Sequence, residues 1–161
     1  MLIGIIAGVL LLFVLFTLFR FAMGLRWAKT ERLREHRNAE ARGRRVVAEI
    51  PAADGALTFL LEDADAFHWG SDSVRKAEIV GARLLLNGGI VGEFASQGHT
   101  LPPPTRPRDF EGRERWDVAI YLREGRIATL PCGTLREGVS REIAGRAYKA
   151  IREATHRSEP A

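Results

Sequence analysis

Cysteine and histidine are among the side chains of this 161-residue sequence that could carry nucleophilic or metal-dependent chemistry. Its single cysteine, Cys132, would need a histidine close enough to take its proton before it could act as a nucleophile. The four histidines are spread along the chain without the short ligand spacing of a metal site. They are His36, His68, His99 and His156. We therefore predict a structural or incidental thiol, no metal site and no cofactor.

The densest polar cluster of the sequence is EDADAFHW, residues 62–69. It lacks the D-x-D-x-D-G spacing of a calcium loop. The pattern predicts a strand that runs into a turn, with Phe67 and Trp69 packed against a sheet and the carboxylates in water. Without a convergent set of acid, base and nucleophile, we predict a protein that is not an enzyme, and catalysis is the less favoured alternative.

An uncharged apolar run occupies residues 2–19, and its length is close to what a helix needs to cross a hydrocarbon core of ~30 Å. The run predicts a transmembrane helix over residues 1–25. A secretory signal is the alternative, but it would carry its positive charge before the apolar run. The expected membrane-interface residues follow from snorkelling and aromatic anchoring. They are Arg20, Arg26, Trp27 and Lys29.

Positive charge is concentrated directly behind this run. Residues 20–45 hold nine basic and three acidic side chains, which predicts an N-terminus outside a bacterial inner membrane and a cytoplasmic C-terminal domain. Good helix formers over residues 26–45 predict a basic helical stalk that contacts anionic lipid headgroups, or one whose charges only set the topology. The remaining chain has 15 basic and 17 acidic residues, which argues against nucleic acid as a partner.

Residues 46–154 have the pattern of one β-rich domain. Three hairpins are expected: a first across Asp54-Gly55, a second across Asn87-Gly88-Gly89, and a third across Gly125. Apolar residues at intervals of four from Val139 to Ala154 predict a C-terminal amphipathic helix, followed by a flexible tail over residues 155–161. The fold class is therefore α+β, with a small antiparallel sheet or partly closed barrel and that helix over an open edge.

A proline-rich stretch, residues 98–115, is expected to be a long surface loop. Its prolines lower the entropy lost on docking, and its apolar and arginine side chains are typical of interfaces. We predict that it binds a partner. The expected contact residues are Leu101, Arg106, Arg108, Phe110 and Arg113.

The last part of the domain consists of a strand, a Gly turn, a strand and an amphipathic helix, RWDVAIYLREGRIATLPCGTLREGVSREIAGRAYKAIREA. It resembles the bacterial pleckstrin-homology-like domains that follow a single membrane helix. This resemblance implies binding or assembly without chemistry. The predicted function is a single-pass, non-catalytic accessory or assembly subunit that docks on an integral membrane protein complex. The alternative is a membrane-anchored scaffold of the pleckstrin-homology-like kind that binds lipid or peptide.

Overall fold

The computed structural model describes residues 13, 16, 17, 20, 33–51, 57–103, 114–134 and 138–158. The chain divides into two units, residues 1–42 and residues 43–161. In the first unit, residues 13, 16, 17 and 20 are helical, and residues 33–41 form a continuous helical stretch, α1. The second unit begins at Gly43, whose φ of 68° suits a residue without a Cβ.

The first sheet of the second unit is a meander of four antiparallel strands in the order β1-β2-β3-β4. These are β1 Arg45–Pro51, β2 Leu57–Glu62, β3 Ala66–Trp69 and β4 Asp72–Arg75. Leu60 and Phe67 are fully buried, and they place the inner face of this sheet in the core. The first predicted hairpin is confirmed as the antiparallel pair β1–β2, and its expected turn at Asp54-Gly55 lies outside the described residues.

The second sheet contains the strands in the order β6-β5-β7-β8, all antiparallel. These are β5 Ile79–Leu86, β6 Gly89–Ala95, β7 Trp116–Leu122 and β8 Ile127–Gly133. The second and third predicted hairpins are confirmed as β5–β6 and β7–β8. Asn87 and Gly88 form the two-residue turn of the former with φ values of 51° and 80°, as a type I′ turn requires.

A long helix, α2 at Val139–Ser158, closes the unit. Its apolar side chains at Ile143, Ala147 and Ile151 join both sheets in one core. The predicted amphipathic helix is therefore confirmed as an element, and it continues to Ser158, beyond the predicted end at Ala154. Thr155 is 3 % exposed and donates from its Oγ1 to the carbonyl of Ile151 at 2.9 Å.

The predicted fold class is wrong, because the structure has two four-stranded sheets where one small sheet or barrel was expected. Residues 62–69 were expected to form the end of a strand that runs into a turn. This segment holds the last residue of β2, a turn and all of β3, and β3 then pairs with β4 across Gly70. A 3-10 turn at Lys76–Glu78 then interrupts the pairing, so that β5 starts the second sheet.

The predicted transmembrane helix is also corrected. Among the residues described by the structure, no helix is both long and apolar enough to cross a membrane. The described part of α1 spans only residues 33–41, and α2 has charged side chains along its whole length. Most of residues 1–25 lie outside the description. The single-pass inner-membrane placement, with an outside N-terminus and a cytoplasmic domain, loses its support with that helix.

Candidate functional site

The polar cluster of residues 62–69 is a network of ion pairs. Asp63 Oδ2 lies 2.7 Å from His68 Nε2, and Asp63 Oδ1 accepts the backbone N–H groups of Asp65 and Ala66 at 2.9 and 2.7 Å. Burial alone would raise the pKa of Asp63, but these hydrogen bonds outweigh it and hold the pKa at about 2. Asp63 therefore stays a carboxylate near neutral pH and has no proton to donate.

The neighbouring carboxylate, Glu62, is buried and connects three elements. It is paired with Arg45 of β1, with Lys76 at 2.9 Å and with Arg157 of α2 at 3.7 Å. Burial would raise the pKa of Glu62, but hydrogen bonds from Arg45 and Lys76 outweigh it, so the net pKa is lowered. Both carboxylates are thus engaged by cations of the chain itself, which makes this cluster a structural junction.

Metal ligation gains no support from the described residues, which contain no group of three or more His, Cys, Asp or Glu side chains placed to hold an ion. Cys132 is fully buried on β8, and its Sγ lies 3.6 Å from the carbonyl oxygen of Leu130. Burial, and then the charge of Asp117, raise the pKa of the Cys132 thiol to about 12. This thiol is therefore neutral at physiological pH.

We expect Cys132 of the folded chain to resist iodoacetamide at pH 8, because alkylation requires both a thiolate and access to solvent. Mass spectrometry should show the modification only after the chain is unfolded in urea. Free glutathione in the same tube serves as the control for reagent activity. Complete labelling of the folded chain within the time that modifies glutathione would contradict the buried position.

The residues predicted to bind a membrane or a partner fall mostly outside the described chain. Arg20 is helical and exposed. Leu101 is buried, and it packs on the outer face of the second sheet with Val80, Ala119 and Tyr121. Its side chain is thus used within the fold. The others lie outside the described residues: Arg26, Trp27, Lys29, Arg106, Arg108, Phe110 and Arg113.

A buried arginine organises the outer face of the second sheet. Arg83 of β5 is 4 % exposed and pairs with Glu93 of β6. Its other donors reach the hydroxyl of Tyr121 on β7 at 2.9 Å and the carbonyl of Pro102 at 2.7 Å. Arg83 also lies over the Tyr121 ring. One side chain therefore ties together three strands and the chain segment that follows β6.

Strand β6 lies at one edge of the second sheet and, among the described strands, pairs with β5 alone. Its register shifts between Ile90 and Gly92, which leaves Val91 as a bulge. Ile90 and Val91 are 41 % and 55 % exposed. Ile90 pairs with Leu85, so it stands on the outer face of the sheet. Within the described residues, this edge therefore offers an unpaired backbone beside exposed apolar side chains.

Helix α2 approaches β6 from the inner face. A Cβ on Gly92 would lie 3.6 Å from the Tyr148 hydroxyl, and the Tyr148 ring meets Phe94 edge-on with centroids 5.6 Å apart. Burial raises the pKa of Tyr148 above its ordinary value, and the positive charge of Arg152 offsets only part of this rise. Tyr148 thus bridges the helix and the edge strand, and Arg152 stands one helical turn further along.

Sequence reasoning missed the β6 edge because strand order decides it. The glycines of LNGGIVGEF were assigned to a hairpin, and that hairpin is present. Nothing local in the sequence states that β7 pairs with β5 on the side away from β6. The available signal was the pair Ile90 and Val91, two apolar residues on one strand between glycines.

Family models, curated proteins and solved structures were compared with the chain, and none of them matches it.

Proposed function

We propose that this chain is a non-catalytic interaction module that binds an extended segment of a partner protein along the free edge of β6. The observation that carries the proposal is a seven-residue edge strand with Ile90 and Val91 exposed on it. An extended segment added there would satisfy the unpaired backbone groups and remove both side chains from water. Edge strands with these features invite such pairing unless they are covered.

The edges formed by β4 and β8 are less suited to this role. β4 has four residues, of which only Val74 is buried and the rest are exposed, including the charged Asp72 and Arg75. The end of β8 is approached by β1, since a Cβ on Gly133 would lie 3.6 Å from the carbonyl oxygen of Pro51. These contrasts favour β6 as the docking edge.

Binding of a protein segment agrees with the expected non-catalytic accessory role. That role, and the larger complex expected as its partner, stay predictions. The resemblance to pleckstrin-homology-like domains likewise stays a prediction. An unpaired strand edge with apolar side chains recognises a peptide backbone better than a charged headgroup, so it supports the peptide-binding form of the alternative.

We expect the full chain to select extended peptides from a random decapeptide display library. The Val91→Asp variant should bind the recovered peptides at least tenfold more weakly. Burial of the Val91 side chain under the docked peptide is worth about 1.5–3 kcal/mol, and the variant would lose this energy and place a carboxylate there instead. Binding is measured by fluorescence polarisation with a labelled copy of the most frequent peptide.

The matched control is Ile127→Asp, because Ile127 is 53 % exposed on β8, the opposite edge strand of the same sheet. This variant should bind within twofold of the natural chain. Circular dichroism verifies that both variants are folded. Failure to enrich any peptide over the bare support, or equal loss in the two variants, would overturn the proposal.

A further inference from the structure

The basic residues of α2 differ in whether the chain itself neutralises them. Three have a carboxylate close by. The pairs are Arg146 with Glu142 at 3.9 Å, Lys149 with Glu153 at 3.9 Å, and Arg157 with Glu62 at 3.7 Å. Within the part of the chain that the structure describes, Arg141 and Arg152 have no such partner. Both are exposed, so each presents an uncompensated charge to the solvent.

Of these two arginines, Arg152 is one helical turn from Tyr148, whereas Arg141 is about two turns away. Arg152 follows Tyr148 by four residues, and side chains at that spacing share one face of a helix. Tyr148 in turn covers Gly92 of β6. The negative charge of Glu93 also raises the pKa of Tyr148, but the Glu93 carboxylate is paired with the buried Arg83. On the turn of α2 next to the Tyr148–β6 contact, the uncompensated charge is therefore that of Arg152.

We infer that the segment docked on β6 carries an aspartate or glutamate that pairs with Arg152, and this inference rests on the proposed function. A strand added to β6 would lie about 4.8 Å beyond it, which is within the length of an arginine side chain that leans over the edge. A guanidinium binds a carboxylate through two parallel hydrogen bonds, so the pair also helps to set the register of the added strand.

Peptides recovered from the display library test this inference. They should contain at least one Asp or Glu, and changing it to Asn or Gln should lower affinity for the natural chain about tenfold, as for one hydrogen-bonded charge pair. The same change should have less than a twofold effect on Arg152→Gln. Arg141→Gln, which removes the other uncompensated arginine of α2, should respond to the peptide change like the natural chain.

The two possible failures are distinguishable. If the peptides lose affinity with Val91→Asp but are indifferent to the loss of their carboxylate, the charge pairing is refuted and the docking edge stands. If they are indifferent to Val91→Asp, the edge itself is refuted, and the inference falls with it. An equal response of Arg141→Gln and Arg152→Gln would show a general charge effect and would also refute the pairing.

Discussion

Gly81→Ala is expected to lower the free energy of unfolding by about 3 kcal/mol, at the upper end of overpacking effects. A Cβ at this position would lie 2.5 Å from the carbonyl oxygen of Phe94 and 2.9 Å from Cδ2 of Leu101. The carbonyl belongs to the backbone of β6, which is fixed by its pairing with β5. Relief therefore requires that β5 and β6 move apart.

Urea unfolding followed by circular dichroism measures this effect. Two other glycine changes are matched controls. Gly92→Ala would bring its Cβ to 3.6 Å from Tyr148, an ordinary contact, and should cost less than 1 kcal/mol. Gly145→Ala meets no atom within 4 Å in α2 and should stabilise the chain by about 0.5–1 kcal/mol. A Gly81→Ala chain as stable as these two would contradict the β5–β6 spacing.

Glu62→Gln is expected to destabilise the chain by about 3 kcal/mol, because it removes the negative partner of a buried charge network. The side chain of Lys76 is 13 % exposed, and its Nζ lies 5.4 Å from the centre of the Phe67 ring. Without the Glu62 carboxylate, this ammonium group keeps the backbone carbonyl of Asp63 as an acceptor but loses its ion pair. Arg45 loses the same partner.

The effect of Glu62→Gln should depend on pH with a defined sign. The folded-state pKa of Glu62 lies below the ordinary value of 4.5, so its stabilising contribution is complete above that value and is lost as the pH falls through the folded pKa. Urea midpoints of natural and variant chains should therefore differ at pH 7 and converge in acid. The control is Glu124→Gln, at a side chain that is 82 % exposed, and it should leave the urea midpoint unchanged at every pH. A constant difference down to pH 2 would contradict the network.

The sequence predicts the elements of this fold better than their arrangement. Alternation in WDVAIYL, the Asn87-Gly88 turn and the four-residue spacing in α2 are local signals, and all three elements are present. β3 and β4 were missed because a strand of four residues is too short to show a recognisable alternation of apolar and polar residues. The division into two sheets depends on the short turn Lys76–Glu78, whose composition resembles that of many helical segments.

The candidate site was less predictable than the fold. The partner-binding prediction was placed on the proline-rich loop, and Leu101 of that prediction is buried in the fold. The polar cluster of residues 62–69 was recognised, but its partners come from distant positions such as Arg45 and Arg157. The exposed edge at Ile90 and Val91 depends on which strand pairs with β5, and hydrophobic patterning carries no information on that choice.

The strand order of the second sheet also has a consequence for the speed of folding. In the first sheet, Pro51 pairs with Leu57, so hairpin contacts close over a few residues. In the second sheet, β5 pairs with β7, and Leu86 meets Trp116 only after the chain has closed a loop of 29 intervening residues. Loop closure costs entropy before its contacts form, and non-local pairing slows folding. The β5–β7 pairing is thus the step at which the length and proline content of this intervening segment act on the folding rate.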